Sequence, residues 1–181
     1  MRKILLTLLL GVSILHGVSQ TNQEPSNIVK LDGGYLLHWF SGDPISLAGF
    51  GFSFESAIKA DWSFALALNY NFRVDDPLKE PRTYTDIIFF AISGRKYFAE
   101  APSGSYYGAG LDIGVPKTLA TAGDLFILGG YQIIDDQLSF DLNFQLGYGV
   151  LRERINDYWG VYYEKEWGFF FRPGVSIGYV F

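Results

Sequence analysis

The sequence predicts an all-β chain, an eight-stranded antiparallel up-and-down transmembrane β-barrel, and three observations carry that prediction. Apolar and polar residues alternate with period two over segments long enough to cross a bilayer, eight such segments follow one another, and the connections between them fall into two alternating classes.

Gln137 to Val150 shows the alternation without exception. Leu138, Phe140, Leu142, Phe144, Leu146, Tyr148 and Val150 share one parity, and Ser139, Asp141, Asn143, Gln145, Gly147 and Gly149 share the other. A helix would scatter these two sets around its circumference, whereas a strand places them on opposite faces. The run exceeds the roughly 9–11 residues that a tilted strand needs to cross a bilayer. Trp62 to Arg73 repeats the pattern, and so does Phe169 to Phe181, where Phe170, Arg172, Gly174, Ser176, Gly178 and Val180 take the second face. Weaker versions at Ile28–Phe40, Leu47–Ala57, Tyr84–Phe98, Tyr106–Val115 and Leu125–Ile134 complete the eight.

Tight connections are expected at Lys59-Ala60-Asp61, Ala99 to Gly104 and Asp135-Asp136. Longer, more polar loops are expected at Val74 to Thr83, Pro116 to Gly123 and Arg152 to Glu166, with Ser41-Gly42-Asp43-Pro44 the one short member of that class. Outer-membrane barrels are built with short periplasmic turns and longer extracellular loops, which would put both chain ends in the periplasm.

Periodicity alone does not separate this architecture from a soluble barrel, but the content of the two faces does. Seven large residues per strand would overfill an eight-stranded barrel, whose interior just accommodates side chains. Small and polar residues such as Gly51, Ser53, Ala65, Ala67, Ser93, Gly108, Gly110, Gly147, Gly149, Gly174 and Gly178 fit inside, which leaves the apolar face for lipid. Trp39, Trp62, Tyr70, Tyr84, Tyr97, Tyr107, Tyr131, Trp167 and Tyr179 lie near strand ends, where aromatic girdles meet the headgroups.

The N-terminus reads as a signal peptide over residues 1–19. Met1-Arg2-Lys3 is a basic head, Ile4 to Leu15 an apolar core too short to span as a helix, and Gly17-Val18-Ser19 a small-residue cleavage region. Residues 20–27 would then form a short periplasmic segment and residues 28–181 the barrel. Losing Arg2 and Lys3 leaves 12 basic against 19 acidic residues, a formal charge of −7 in place of −5, which gives no long-range attraction for nucleic acid. The chain has no Cys, so stability is expected from the sheet and its packing, with no disulfide and no cysteine-linked lipid.

From Val29 to its end the chain resembles the small outer-membrane β-barrel families, similar in size and layout to the outer-membrane protein X and A barrels and to a family of exported barrels. The residues that carry the resemblance are Phe54-Glu55-Ser56-Ala57-Ile58-Lys59-Ala60-Asp61-Trp62-Ser63, then Arg95-Lys96-Tyr97-Phe98 followed by Gly104-Ser105-Tyr106-Tyr107-Gly108-Ala109-Gly110, and the terminal Gly178-Tyr179-Val180-Phe181. The resemblance implies outer-membrane lipid as surroundings. It also implies that Tyr179 and Phe181 belong to the signal read by the barrel-assembly machinery. It carries no catalytic motif, and fold by itself does not name a function.

Chemistry-bearing residues are few. His38 falls on the inward parity with Ser41 nearby, but a nucleophile–base pair of the kind found in lipid-modifying barrel enzymes would face lipid. No catalytic residue, metal ligand set or cofactor motif is assigned. Inward charges are more informative: Lys30, Arg73, Arg95 and Arg172 balance Asp32, Glu55, Asp112 and Asp141. Buried charges persist only when paired, so this set is expected to form a hydrogen-bonded plug, with Arg95 and Arg172 as centres and Glu55, Asp32 and Asp141 as partners. Tyr158, Trp159, Tyr162 and Tyr163 are candidates for contact with an extracellular ligand, aromatic residues of the type enriched at interfaces. The function expected is a plugged barrel with a structural or interaction role; the alternatives are a narrow channel and a lipid-modifying enzyme.

Deleting Phe181 should lower the yield of folded, heat-modifiable barrel in the outer membrane while leaving export across the inner membrane unchanged, as read from fractionated cells.

Overall fold

A computed structural model describes residues 27–40, 44–73, 87–116, 121–157 and 160–181; for 35–40, 44–46, 73, 116, 121, 151–157 and 160–166 the description is of backbone alone. The strands are β1 (Asn27–Phe40), β2 (Pro44–Lys59), β3 (Trp62–Arg73), β4 (Ile87–Tyr97), β5 (Gly104–Pro116), β6 (Thr121–Asp135), β7 (Leu138–Asp157) and β8 (Gly160–Val180). Each pairs antiparallel with its sequence neighbour, and β1 closes on β8. Closure removes the two free edges that an open sheet would expose. The seam is finished by reciprocal backbone bonds between Asn27 and Phe181, the amide of Asn27 donating to Phe181 at 3.1 Å and that of Phe181 to Asn27 at 2.9 Å.

Alternation in the sequence becomes alternation in burial. In β4 every second residue from Ile87 to Tyr97 is buried. The even-numbered residues of β7 from Leu138 to Tyr148 are exposed on the outside, as are Trp167, Phe169, Val175, Ile177 and Tyr179 of β8. The exterior is therefore an apolar surface running round the barrel, and the polar atoms face inward.

One end carries both termini and the tight connections 60–61, 98–103 and 136–137. Asp136 takes a left-handed conformation there (φ 51°), one that aspartate tolerates better than most residues. The 98–103 connection folds back over the barrel end. Its Ala101 amide donates to Ala60 at 2.6 Å, Ala101 and Pro102 are buried, and Pro102 accepts a bond from the Gln132 side chain at 2.6 Å.

Four expectations need correction at the level of elements. Arg152 to Glu166 is not a long loop: β7 and β8 run on as a paired ribbon, with Arg152 opposite Lys165 and Asp157 opposite Gly160. Charged residues hid this extension, because the alternation there is between charges of opposite sign and not between apolar and polar. Pro116 to Gly123 is shorter than expected, since β6 starts at Thr121, and β1 starts at Asn27, one residue early. Tyr97 does not belong to the outer girdle: it is 2% exposed and points into the lumen, because β4 puts it on the parity of Arg95. The segment 1–26, the loop from Val74 to Thr83 and the tip residues Tyr158 and Trp159 lie outside the described residues.

Inward glycines make room for inward aromatics. A Cβ at Gly147 would come within 2.5 Å of the Phe170 ring, which lies across the β7–β8 ladder from it. Gly147→Val should therefore destabilise the folded barrel by about 1–3 kcal/mol, the usual cost of overpacking, measured by urea titration of the heat-modifiable band.

Candidate functional site in the barrel lumen

Nearest the termini, the lumen is filled by a closed ring of four charges. Lys30 of β1 contacts Glu55 of β2 at 2.6 Å and Asp141 of β7 at 2.9 Å. Arg95 of β4 contacts the same two carboxylates, Glu55 at 3.0 Å and Asp141 at 2.9 Å. Signs alternate round the ring and the net charge is zero. All three of Lys30, Glu55 and Asp141 are at most 1% exposed.

Burial at that depth is tolerable because all four carboxylate oxygens of the ring are also hydrogen-bonded, although Arg95 Nε is buried without a partner. On Glu55, Oε2 takes both cations, while Oε1 accepts from the hydroxyls of Ser63 at 2.5 Å and Tyr97 at 2.6 Å. On Asp141, Oδ2 takes both cations and Oδ1 accepts from Tyr106 at 2.7 Å. Lys30 also donates to Gln132, which ties the ring to the Pro102 carbonyl at the barrel end. The Arg95 guanidinium lies over the Tyr106 ring at 4.8 Å, a cation–π contact.

Register explains how distant residues converge. Ser63 is opposite Arg95, Tyr97 is opposite Tyr106, and Gln132 is opposite Asp141, so three adjacent strand pairs each deliver two side chains to one level. Ser63, Tyr106 and Gln132 were not singled out from sequence as partners of the charges, and Tyr97 was assigned to the girdle. Each lies on the inward parity beside a predicted inward charge, and that parity is the signal that would have found them.

A second layer lies further along the lumen and is built differently. Arg172 of β8 donates to Asp112 of β5 at 2.6 Å and to Gln145 at 3.0 Å. Asp124 of β6 is the cross-strand neighbour of Asp112, but its carboxylate stands 3.8 Å from Arg172, beyond hydrogen-bond range. The guanidinium is flanked by the rings of Phe170 at 5.2 Å and Phe89 at 5.5 Å. Asp112 Oδ1, Asp124 Oδ2 and the Nε and Nη2 of Arg172 are buried with no hydrogen-bond partner. Among the described residues this layer sets one cation against two carboxylates.

Between the layers lies a polar cavity of about 70 Å³, lined among others by Asp32, Asn71, Arg95, Asn143 and Arg172. A water needs roughly 10–15 Å³ of such space, so several fit, and the cavity walls supply the polar partners they require. Asp32 lies on this cavity and pairs with neither arginine, contrary to expectation: its place opposite Gly51 and Ser176 puts it beside the cavity, and Asp112 takes Arg172 in its stead. Asp124 was missed because the predicted strand began one residue after it. The side chains of Arg73, His38, Tyr162 and Tyr163 lie outside the described residues, as does Ser41.

With this geometry in hand, the solved structures are informative. Neisserial surface protein A matches with a TM-score of 0.64 at 16% identity, over 88% of this chain and 100% of that one. The outer-membrane protein OprG of Pseudomonas aeruginosa matches at 0.56 and 12%, over 86% and 96%. Ail, the attachment invasion locus protein of Yersinia pestis, matches at 0.50 and 10%, over 88% and 100%. The chain has the fold of the small eight-stranded outer-membrane barrels. No protein-family model and no curated protein matches its sequence. At these identities the likeness extends to the barrel and not to what each barrel does.

The two layers should respond oppositely to mutation. Arg95→Ala leaves two buried carboxylates to share Lys30 alone, with a net negative charge in the lumen, and should cost about 3–5 kcal/mol in urea unfolding. Asp124→Asn removes a charge that no hydrogen bond from Arg172 offsets, and should be neutral or stabilising by about 1 kcal/mol.

Proposed function

We propose that this chain is an exported protein of a Gram-negative outer membrane, inserted by the barrel-assembly machinery with both termini in the periplasm. Its lumen is sealed, and its role is structural or one of interaction through the loops and the β7–β8 ribbon, without catalysis or conduction. The observation that carries this reading is the closed ring of Lys30, Glu55, Arg95 and Asp141, which fills the lumen with mutually paired charge of zero net sum. An ion entering would have to displace a cation from two carboxylates at once, and eight strands leave no bore beside them.

Two further observations support it. The apolar exterior far exceeds the few hundred Å² of contiguous apolar surface that a water-soluble monomer carries, so the barrel belongs in lipid. Trp62, Tyr107, Tyr131 and Tyr179 stand outward near strand ends, and Trp167 stands outward at the barrel rim beside the last β1–β8 pair, as interfacial aromatics do. The ribbon, with Tyr162 and Tyr163 on β8 and Tyr158 and Trp159 between its strands, is then the part of the chain offered to an extracellular ligand. The polar cavity favours a second reading, a narrow path, and conductance decides between them.

In planar bilayers the wild-type chain should show no single-channel steps above baseline, and Arg95→Ala should introduce them; steps in the wild type would favour the channel. On intact cells, Cys placed at Asp76 or Tyr158 should label with a membrane-impermeant reagent and Cys at Ala60 should not, and labelling at Ala60 alone would reverse the orientation.

A further inference from the structure

Beyond the barrel rim the β7–β8 ribbon stands by itself among the described residues. Arg152 is the last residue of β7 paired to β6, and Gly168 the last of β8 paired to β1. From Glu153 to Asp157 and from Gly160 to Trp167 the two strands pair only with each other.

The parity set lower in the barrel continues into this ribbon and sorts its charges completely. Val150 and Trp167 are opposite one another on the outward parity, and Trp167 is exposed there. On that same parity, one pleat further, Arg152 is opposite Lys165, and one pleat beyond that Arg154 is opposite Tyr163. On the other parity Leu151 is opposite Glu166, Glu153 is opposite Glu164, and Asp157 is opposite Gly160. By register, every cation of the ribbon shares the parity of Trp167 and every anion takes the opposite parity.

This arrangement is unfavourable for the ribbon considered alone. Like charges directly opposite destabilise an antiparallel pair, and Arg152–Lys165 and Glu153–Glu164 are both such pairs. Exchanging Glu164 and Lys165 would have made two attractive pairs from the same side chains. Negative charge to offset the outward parity is not supplied by the residues opposite those cations in the ladder.

Position identifies its source. Tyr148, Trp167 and Phe169 form an outward cluster, with ring centroids 6.1 Å apart for Tyr148–Trp167 and 5.0 Å for Tyr148–Phe169. Such outward aromatic rings sit at headgroup level. At roughly 3.3–3.4 Å per residue, Arg152 and Lys165 lie about 7 Å along the ladder from the Val150–Trp167 rung, and Arg154 about 13 Å. Those positions continue outward from the headgroup level that the rings mark. We infer that the outward face of the ribbon, through Arg152, Arg154 and Lys165, binds the phosphates of anionic lipid headgroups in the surrounding leaflet and so holds the ribbon against the membrane surface. The inference rests on the chain being a membrane barrel, and adds the class of lipid and the residues that select it.

The test uses the full chain refolded into nanodiscs of phosphatidylcholine mixed with phosphatidylglycerol, with the lipids retained by each barrel counted by native mass spectrometry. The wild type should retain phosphatidylglycerol in preference to phosphatidylcholine. The triple variant Arg152→Gln/Arg154→Gln/Lys165→Gln should lose that preference by roughly tenfold or more, since each basic residue at an anionic surface contributes about a factor of five. Glu153→Gln/Glu164→Gln/Glu166→Gln, on the opposite face, should keep or strengthen it. No preference in the wild type, an undiminished preference in the basic-face variant, or an equal loss in the acidic-face variant would overturn the inference. So would abolition by excess inorganic phosphate, which would reassign the face to a soluble anion. The heat-modifiable band, recorded on each sample, separates failure of lipid selection from failure to form a membrane barrel. Should the triple variant not fold, Arg154→Gln alone decides the matter: a several-fold loss of preference is expected, and an unchanged preference would overturn the inference.

Discussion

The rest of this structure depends on one interaction, the four-charge ring in which Lys30 and Arg95 each bridge Glu55 and Asp141. A closed eight-stranded sheet has to fill its interior, and here inward apolar residues such as Phe126, Leu128 and Phe170 share that space with charges. Charges can fill it only if every one is matched. Here four strands supply the ions, and Ser63, Tyr97, Tyr106 and Gln132 complete the hydrogen bonding, so the ring cross-links strands that the sheet does not pair.

The second layer shows what the same barrel does when the matching is incomplete. Arg172 satisfies Asp112 but stands off from Asp124, and its own Nε and Nη2 go unused within the protein. The cavity lies on that side of the ring, bounded by Arg95 below and Arg172 above. A graded lumen results, filled by paired charge at the level of the ring and polar with room for water further along. The second layer is where bound water has both space and partners.

Much of this was legible as parity. The run from Leu138 to Val150 carries its inside and outside in the sequence, and Lys30, Glu55, Arg95, Asp112, Asp141 and Arg172 were assigned inward by counting in twos. Where counting failed, the reason is physical. Tyr97 is amphipathic, and its phenol suits either a girdle or a buried carboxylate; only its register with Tyr106 places it beside Glu55. The ribbon from Arg152 to Glu166 looked like a loop because above a membrane band apolar residues are no longer required on either face, so the strand continues with charges. Asp124 was lost with a strand boundary set one residue too late.

By itself the sequence determined the period, the eight segments, the face that each side chain takes and the need for inward charges to cancel. Those follow from local geometry, because alternation is a property of each strand alone. Which charge meets which was decided only by the tertiary structure. Asp32 was the expected partner and Asp112 only one more inward charge, and the stagger between strands, set by closure of the whole sheet, gave Arg172 to Asp112 and left Asp32 on the cavity. Partner choice across a lumen depends on the register of all the intervening strand pairs at once, and no single segment contains that information.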